Sequence, residues 1–342
     1  MKYKHFLPLC VCAFFFCGIS WAQEATAVYV EGDTTRKDSG GVLRKLDFGD
    51  GVRAGESIIT KRNGKAELEL PNRSSITVRP DTVFIIGEAD LAGGGKQPVL
   101  TTSIGSAAFR LNVFSANAPL IQSNSTVAGI RGTEFEIFAG MDGSTLVAVT
   151  ECQVDLHASG HTVSLLANEA VEVAAGQPPG EKYSWLGKEQ DFSDWNANKT
   201  EDFLKDPMAG IQRVERQLEY FRDEMMKLLP DFEAVDAESK AGLEKFQSLR
   251  EAGETTKAEE LRQHLIGDVN FRWGRQFLNI RYYALSYLSM RRFVLGGMYV
   301  EMKSRYFMNQ EDALFQDFIK IYNSIVRNFE EVIVPHLVEE DI

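Results

Sequence analysis

Arg131 and Glu134 stand on either side of Gly132 and Thr133, directly before Phe135. A guanidinium and a carboxylate at this spacing have two uses. They can pair with each other across a turn, with Thr133 bonding nearby backbone, or they can be presented outward to recognise a polymer or a protein partner. Arg131, Gly132, Thr133, Glu134 and Phe135 are therefore the candidate binding residues. His157 and His161 flank Ser159-Gly160 and could face each other across a hairpin, but two imidazoles without a third ligand make a poor metal site. Tyr282-Tyr283 and Phe271-Arg272-Trp273 could stack on glycan rings, although aromatic residues this dense in a helix suit a core. The chain has no Gly-x-Ser-x-Gly elbow, no His-Glu-x-x-His, no P-loop and no Gly-x-Gly-x-x-Gly. Carboxylates abound, yet nothing singles out a pair for acid–base work. The expectation is a protein that is not an enzyme and uses no metal and no cofactor.

The amino terminus reads as a secretory signal over residues 1–22. Lys2 and Lys4 precede an apolar run from Phe6 to Ile19, and Ser20-Trp21-Ala22 supplies small residues before a cleavage point near Ala22. That run falls short of the ~20 residues a membrane-spanning helix needs. The expected location is therefore periplasmic or secreted. Lipidation at Cys17 is a weaker alternative, because Phe14-Phe15-Phe16 is a poor lead-in. Cys10, Cys12 and Cys17 lie in the signal, which leaves Cys152 without an internal disulfide partner. Cys152 is expected to be a small buried residue, with intermolecular pairing as the other reading. The net charge of −12 and the lack of a basic run exclude nucleic acid as a partner, because phosphate neutralisation needs a basic face.

Two periodicities divide the remainder. Residues 23–176 carry short β-branched runs between turn signals. In Lys65 to Leu70, Ala66, Leu68 and Leu70 share one face, and Asn63-Gly64 before them is a hairpin signal. Ile76 and Val78, Val83 to Ile86, Phe135 to Phe138, Leu146 to Val149, Val154 to Leu156 and Val163 to Leu165 are further strands. Pro71 to Ser74, Asp142-Gly143 and Ser159-Gly160 are turns between strands, and Ala92 to Gly95 is a loop. The fold class expected is all-β, closing as a sandwich, roll or solenoid. Gly176-Gln177-Pro178-Pro179-Gly180 cannot continue a ladder and opens a linker over 177–190.

Residues 191–342 have helical period. Asp206-Pro207 starts a helix whose Ile211, Val214, Leu218, Phe221, Met225 and Leu228 fall on one face. Pro230 is expected to end it and to open a second helix carrying Phe232, Val235, Leu243, Phe246 and Leu249. Thr255 to Ile266 is a third amphipathic segment. Phe271 to Met308 is a long aromatic helix or a broken pair. Arg275, Arg281, Arg291 and Arg292 bar it from a bilayer, so no transmembrane helix is expected. A last helix runs from Gln310 to Pro335 with Leu314, Phe318, Ile321 and Ile325 inward. Together these suit an all-α bundle.

The order of motifs in the first half resembles FecR-like domains. Arg131-Gly132-Thr133-Glu134-Phe135 with an apolar residue before it, Leu46 to Asp50 followed by Gly55 to Thr60, Lys65 to Leu70, Ser74 to Pro80, Gly105 with Phe109 and Val113, and Leu165 to Ala170 follow one another as in that family. The resemblance implies an all-β envelope module, usually exposed to the periplasm, that binds or scaffolds. Two turns depart from the pattern. Cys152 and Asn168 stand where the family usually has glycine; asparagine tolerates left-handed backbone angles and cysteine does so poorly. Regulatory relatives place a sigma-factor-binding segment and a membrane helix before the β domain. Here a cleavable signal and a helical half replace them.

The function expected is that of an exported binding or scaffold protein. Its β domain would engage an envelope protein or a cell-surface polymer, and its helical half would pack on a partner or form a homo-oligomer contact. An accessory sensor acting with a membrane partner is the alternative, and an enzyme with an unrecognised site comes third.

Overall fold

Seventeen strands precede the first helix in the computed structural model, which describes residues 25–90, 96–112, 118–130, 132–186 and 190–337. The expected signal, the Ala92–Gly95 loop and Val113 lie outside the described residues. In chain order the strands are β1 (Ala25–Glu31), β2 (Thr34–Lys37), β3 (Leu43–Lys45), β4 (Gly51–Val52), β5 (Ser57–Thr60), β6 (Lys65–Glu69), β7 (Ser75–Val78), β8 (Val83–Asp90), β9 (Lys96–Arg110), β10 (Leu120–Gln122), β11 (Val127–Ile130), β12 (Glu134–Ala139), β13 (Thr145–Glu151), β14 (Gln153–Ala158), β15 (His161–Leu166), β16 (Glu169–Val173) and β17 (Tyr183–Ser184).

These strands form two facing layers. One runs β4-β1-β6-β7-β9-β12-β13-β16-β17. The other runs β3-β2-β5-β8-β9-β10-β11-β14-β15. The long strand β9 belongs to both. Up to Ile104 it pairs with β8, and from Gly105 onward it pairs with β12. Gly105 makes the crossing with φ +100°, and a Cβ there would lie 2.2 Å from the Thr82 hydroxyl oxygen, so no other residue fits. Alternation points one face of each layer inward: Ala66, Leu68, Ile76, Phe109 and Phe135 meet Ile58, Phe84, Leu100, Ile121 and Leu156 in one core.

Two turn expectations need correction. Asn63-Gly64 does not close a hairpin, because β5 and β6 lie in different layers. The segment is a corner closed by the Gly64 N–H on the Lys61 carbonyl at 2.8 Å. Gly64 is needed there because the Asp33 carbonyl would sit 2.4 Å from a Cβ. In the motif the left-handed residue is Gly132, with φ +56°, and Gly129 lies within strand β11. The Asp142-Gly143 and Ser159-Gly160 turns do join paired strands, β12 to β13 and β14 to β15. The proline tract does not end the ladder either. The Gly180 N–H reaches the Glu172 carbonyl at 3.0 Å, and Tyr183–Ser184 adds a short strand beside β16.

The helices are α1 (Phe192–Lys205), α2 (Pro207–Glu251), α3 (Thr255–His264), α4 (Asn270–Met290), α5 (Gly296–Arg305) and α6 (Ala313–Asn328). Asp191 caps α1 through the Ser193 and Asp194 N–H groups. Asp206 caps α2 through the Ala209 N–H, with Pro207 opening the helix. Pro230 neither ends α2 nor opens another helix, and α2 is continuous for 45 residues. Proline removes one bond, but its ring lies on the exposed side, while Leu228, Leu229 and Phe232 around it pack into the same core. At 1.5 Å per residue α2 is about 68 Å long. The chain returns through α3, α4 and α5, joined by π-helical turns at Leu265–Val269 and Arg291–Leu295.

Ile211, Val214, Leu218, Phe221 and Met225 of α2 pack with Ala284, Tyr287, Val294, Met298 and Phe318, and Met141 and Ala175 of the strand-rich half join them. Beyond Leu229 the α2–α3 pair holds a separate small cluster of Val235, Leu265 and Val269. Leu243 is 54% exposed there, and Leu314 of α6, expected inward, is 37% exposed. Trp195 and Phe192 of α1 cover Phe138, Leu146, Ala148 and Ala170 on the outer face of the β12-β13-β16 layer, which is why β13 is apolar on both faces.

Candidate functional site

The motif turn is built into the sheet. The Thr133 carbonyl accepts the Leu111 N–H at 2.9 Å. The Thr133 hydroxyl was expected to bond backbone; it is buried and finds no partner among the described residues. Glu134 faces Arg110 on the neighbouring β9 rung and accepts from its Nε and Nη2 at 3.1 and 3.3 Å. The carboxylate is thus engaged by Arg110; Arg131 lies outside the described residues. Phe135 is buried and stacks on Phe109 with centroids 4.9 Å apart. It belongs to the core. Of the five candidate residues, Gly132 and Glu134 retain partial exposure.

Other expectations fall into place or are corrected. His157 Nδ1 lies 2.7 Å from the Thr162 hydroxyl, and His161 Nδ1 lies 2.9 Å from the Ser159 carbonyl, so the two imidazoles engage their own turn rather than each other. Cys152 is exposed, not buried, and adopts φ +63°. Asn168 adopts φ +64°. Both therefore take the left-handed angle that glycine would supply. Trp273 stacks on Phe277 at 5.1 Å and donates to Asp236 at 2.9 Å, while Arg272 pairs with Glu238 and Asp268. The Arg291 guanidinium lies 4.4 Å from the centre of the Phe329 ring.

A cleft that the sequence did not signal lies where the two halves meet. It is about 290 Å³ and sits between the β10–β11 turn, the β14–β15 turn, α2 and α4. A second lobe of about 310 Å³ continues past Tyr282 against the β8–β9 face. Gln122, Tyr282 and Ser286 border both. The floor is the turn Gln122-Ser123-Asn124-Ser125-Thr126, five polar residues that are all buried. Their hydrogen bonds run inward. The Asn124 amide donates to the Ser103 carbonyl at 2.5 Å, Ser123 bridges the Thr126 and Thr145 hydroxyls at 2.9 and 2.6 Å, and Ser125 donates to the Gly143 carbonyl. From the helical side the Ser289 hydroxyl meets that of Ser103 at 2.9 Å. Burial raises the Tyr283 and Tyr287 phenols to about 12, and raises that of Tyr282 as well, so all three are neutral hydrogen-bonding groups.

A run such as Gln-Ser-Asn-Ser-Thr reads as an exposed loop, and that is why it escapes notice. The one hint is the Ser286–Ser289 pair, one turn apart on an otherwise apolar stretch of helix.

Residues 56–155, from the turn before β5 into β14, match the model of the FecR protein family. No curated protein sequence matches the chain. Two crystal structures of a candidate anti-sigma factor from Parabacteroides distasonis ATCC 8503 are similar to it in part. One, at 16% identity and a TM-score of 0.33, covers 37% of this chain and 59% of its own. The other, also at 16% identity with a TM-score of 0.31, covers 47% of this chain and 73% of its own. Likeness at that level transfers nothing to this chain.

Proposed function

We propose that this chain is an exported, non-catalytic binding and scaffold protein. In this reading residues 23–176 form a FecR-like β domain, 177–190 a linker and 191–342 a helical domain. Cleavage near Ala22 releases the protein to the periplasm, where it engages an envelope component. The observation that carries the reading is the FecR domain joined to a helical arm. Past Phe232 the α2–α3 pair packs on a small satellite cluster and leaves Leu243 exposed, which is surface available to a partner. Strand β15 offers a second surface. Among the described residues it pairs with β14 alone in its layer; Glu169 and Lys182 side chains engage the Leu166 N–H and the Ser164 carbonyl on its other edge, and an added strand would exchange those side-chain bonds for backbone ones.

An accessory sensor working with a membrane partner is the second reading, and the seam at Gln122–Thr126 favours it. A junction held by hydroxyl and amide bonds can exchange them for water more cheaply than an apolar one can be exposed. Fractionation and site-specific photocrosslinking in the native host test both readings. A crosslinker replacing Leu243 on the arm, or Leu166 on the β15 edge, is expected to trap a discrete envelope adduct in the periplasmic or membrane fraction. Background labelling at both positions, or a cytoplasmic protein, would refute the binding role.

A further inference from the structure

The cleft above the Gln122–Thr126 turn has a lining unlike the rest of the chain. A quarter of all residues are charged, yet among the described residues no aspartate, glutamate, lysine or arginine lines this lobe. The rings of Tyr220, Phe221, Tyr282 and Tyr283 form one wall, and the imidazoles of His157 and His161 stand at the opposite rim. Tyr282 and Tyr283 are nearly perpendicular, at 79° with centroids 5.1 Å apart, so they offer two differently oriented surfaces. Gln122 is only 7% exposed, and its side-chain carbonyl oxygen has no partner among the described residues. A buried acceptor left without a donor calls for one, and this residue borders the cleft.

We infer that this cleft is a binding site for a neutral saccharide. The chemistry matches group by group. Sugar rings have apolar C–H faces that stack on aromatic rings, and tyrosine supplies both the ring and a hydroxyl at its edge. Sugar hydroxyls both donate and accept, which suits amides, neutral phenols and imidazoles. The uncharged lining gives a carboxylated or phosphorylated sugar no counter-charge and leaves its anionic group poorly solvated. At about 290 Å³ the lobe lies near the small end of ligand pockets, which start at about 300 Å³, so it suits a mono- or disaccharide unit rather than a long chain laid flat. The site lies apart from the arm and meets β15 at His161 and Thr162, the opposite end of that strand from Leu166, so crosslinking at Leu243 or Leu166 and sugar binding here succeed or fail independently.

The test is isothermal titration, with saturation-transfer NMR, of the purified chain against N,N′-diacetylchitobiose, cellobiose and maltose, with digalacturonate as the anionic control. At least one neutral disaccharide is expected to bind saturably and more tightly than digalacturonate. Tyr220 is 46% exposed and His157 is exposed, so Tyr220→Ala and His157→Ala should fold with unchanged melting curves. Each is expected to weaken binding by about tenfold or more, as loss of a ring or hydrogen-bonding anchor does. Tyr220→Phe, which keeps the ring, should lose much less. The proposal is overturned if none of the neutral sugars binds up to about 10 mM, the limit of meaningful affinity. It is equally overturned if digalacturonate binds best, or if the Tyr220 and His157 variants bind as the parent does.

Discussion

Phe135 and Glu134 are neighbours in the motif and do opposite work. Phe135 stacks on Phe109 inside the core, so Phe135→Ala should cost about 3–5 kcal/mol in urea unfolding. Glu134 holds an exposed fork with Arg110, and Arg110→Ala should leave the unfolding midpoint almost unchanged. Asp142 is a different case. Burial raises its pKa, against the hydrogen bonds from Ser144 and the fields of Lys199 and Arg213. A raised folded-state pKa means the ionised carboxylate is a liability above that value and the liability fades as protons bind. Asp142→Asn keeps an oxygen for the Ser144 N–H and offers an amide N–H to the Ser144 hydroxyl oxygen. It should match or exceed the parent in stability at pH 7, and the parent should catch up as pH falls from its raised pKa toward the usual carboxylate value. Thermal melts across that range read the crossover. Cys152 sits at φ +63° where the family usually has glycine, so Cys152→Gly should raise stability by up to about 1 kcal/mol. The Asn168 angle was legible, because asparagine accepts it. The Cys152 angle was not, because the residue type argues against a geometry that the hairpin imposes.

At the level of elements, alternation in Lys65–Leu70 announced a strand and its inward face, since burial of Ala66, Leu68 and Leu70 leaves little choice. It did not announce the layer. Asn63-Gly64 marks a turn whether the chain folds back beside itself or crosses to the facing sheet, and only packing against Gly32 and Asp33 decides. Pro230 misled for a related reason. Local rules price the lost hydrogen bond, whereas continuity is set by the apolar residues on both sides that share one core. An exposed proline inside a continuous helix is still a cost. Pro230→Ala should therefore stabilise the protein by as much as about 3 kcal/mol, measured by chemical denaturation followed by circular dichroism. An unchanged midpoint would mean that α2 bends at Pro230 to meet its neighbours.

Over the whole molecule, the helical half is seated on the FecR-containing half through two kinds of contact. Met141 and Ala175 enter the apolar core of the helices, and the Gln122–Thr126 turn with Ser103 and Ser289 forms a hydrogen-bonded seam. This arrangement was the least legible part of the chain, because polar residues that bury one another look like solvent-facing loop in sequence. Occupancy of the cleft or capture of the arm would reach the other half through that seam. Hydrogen exchange of the purified chain tests the seating directly. The Ser123, Ser125 and Thr126 amides, bonded within the turn at 3.0 to 3.2 Å, are expected to be protected as strongly as the strands of β9 and β12. Exchange of those amides at the rate of an open loop, while the strands stay protected, would contradict it.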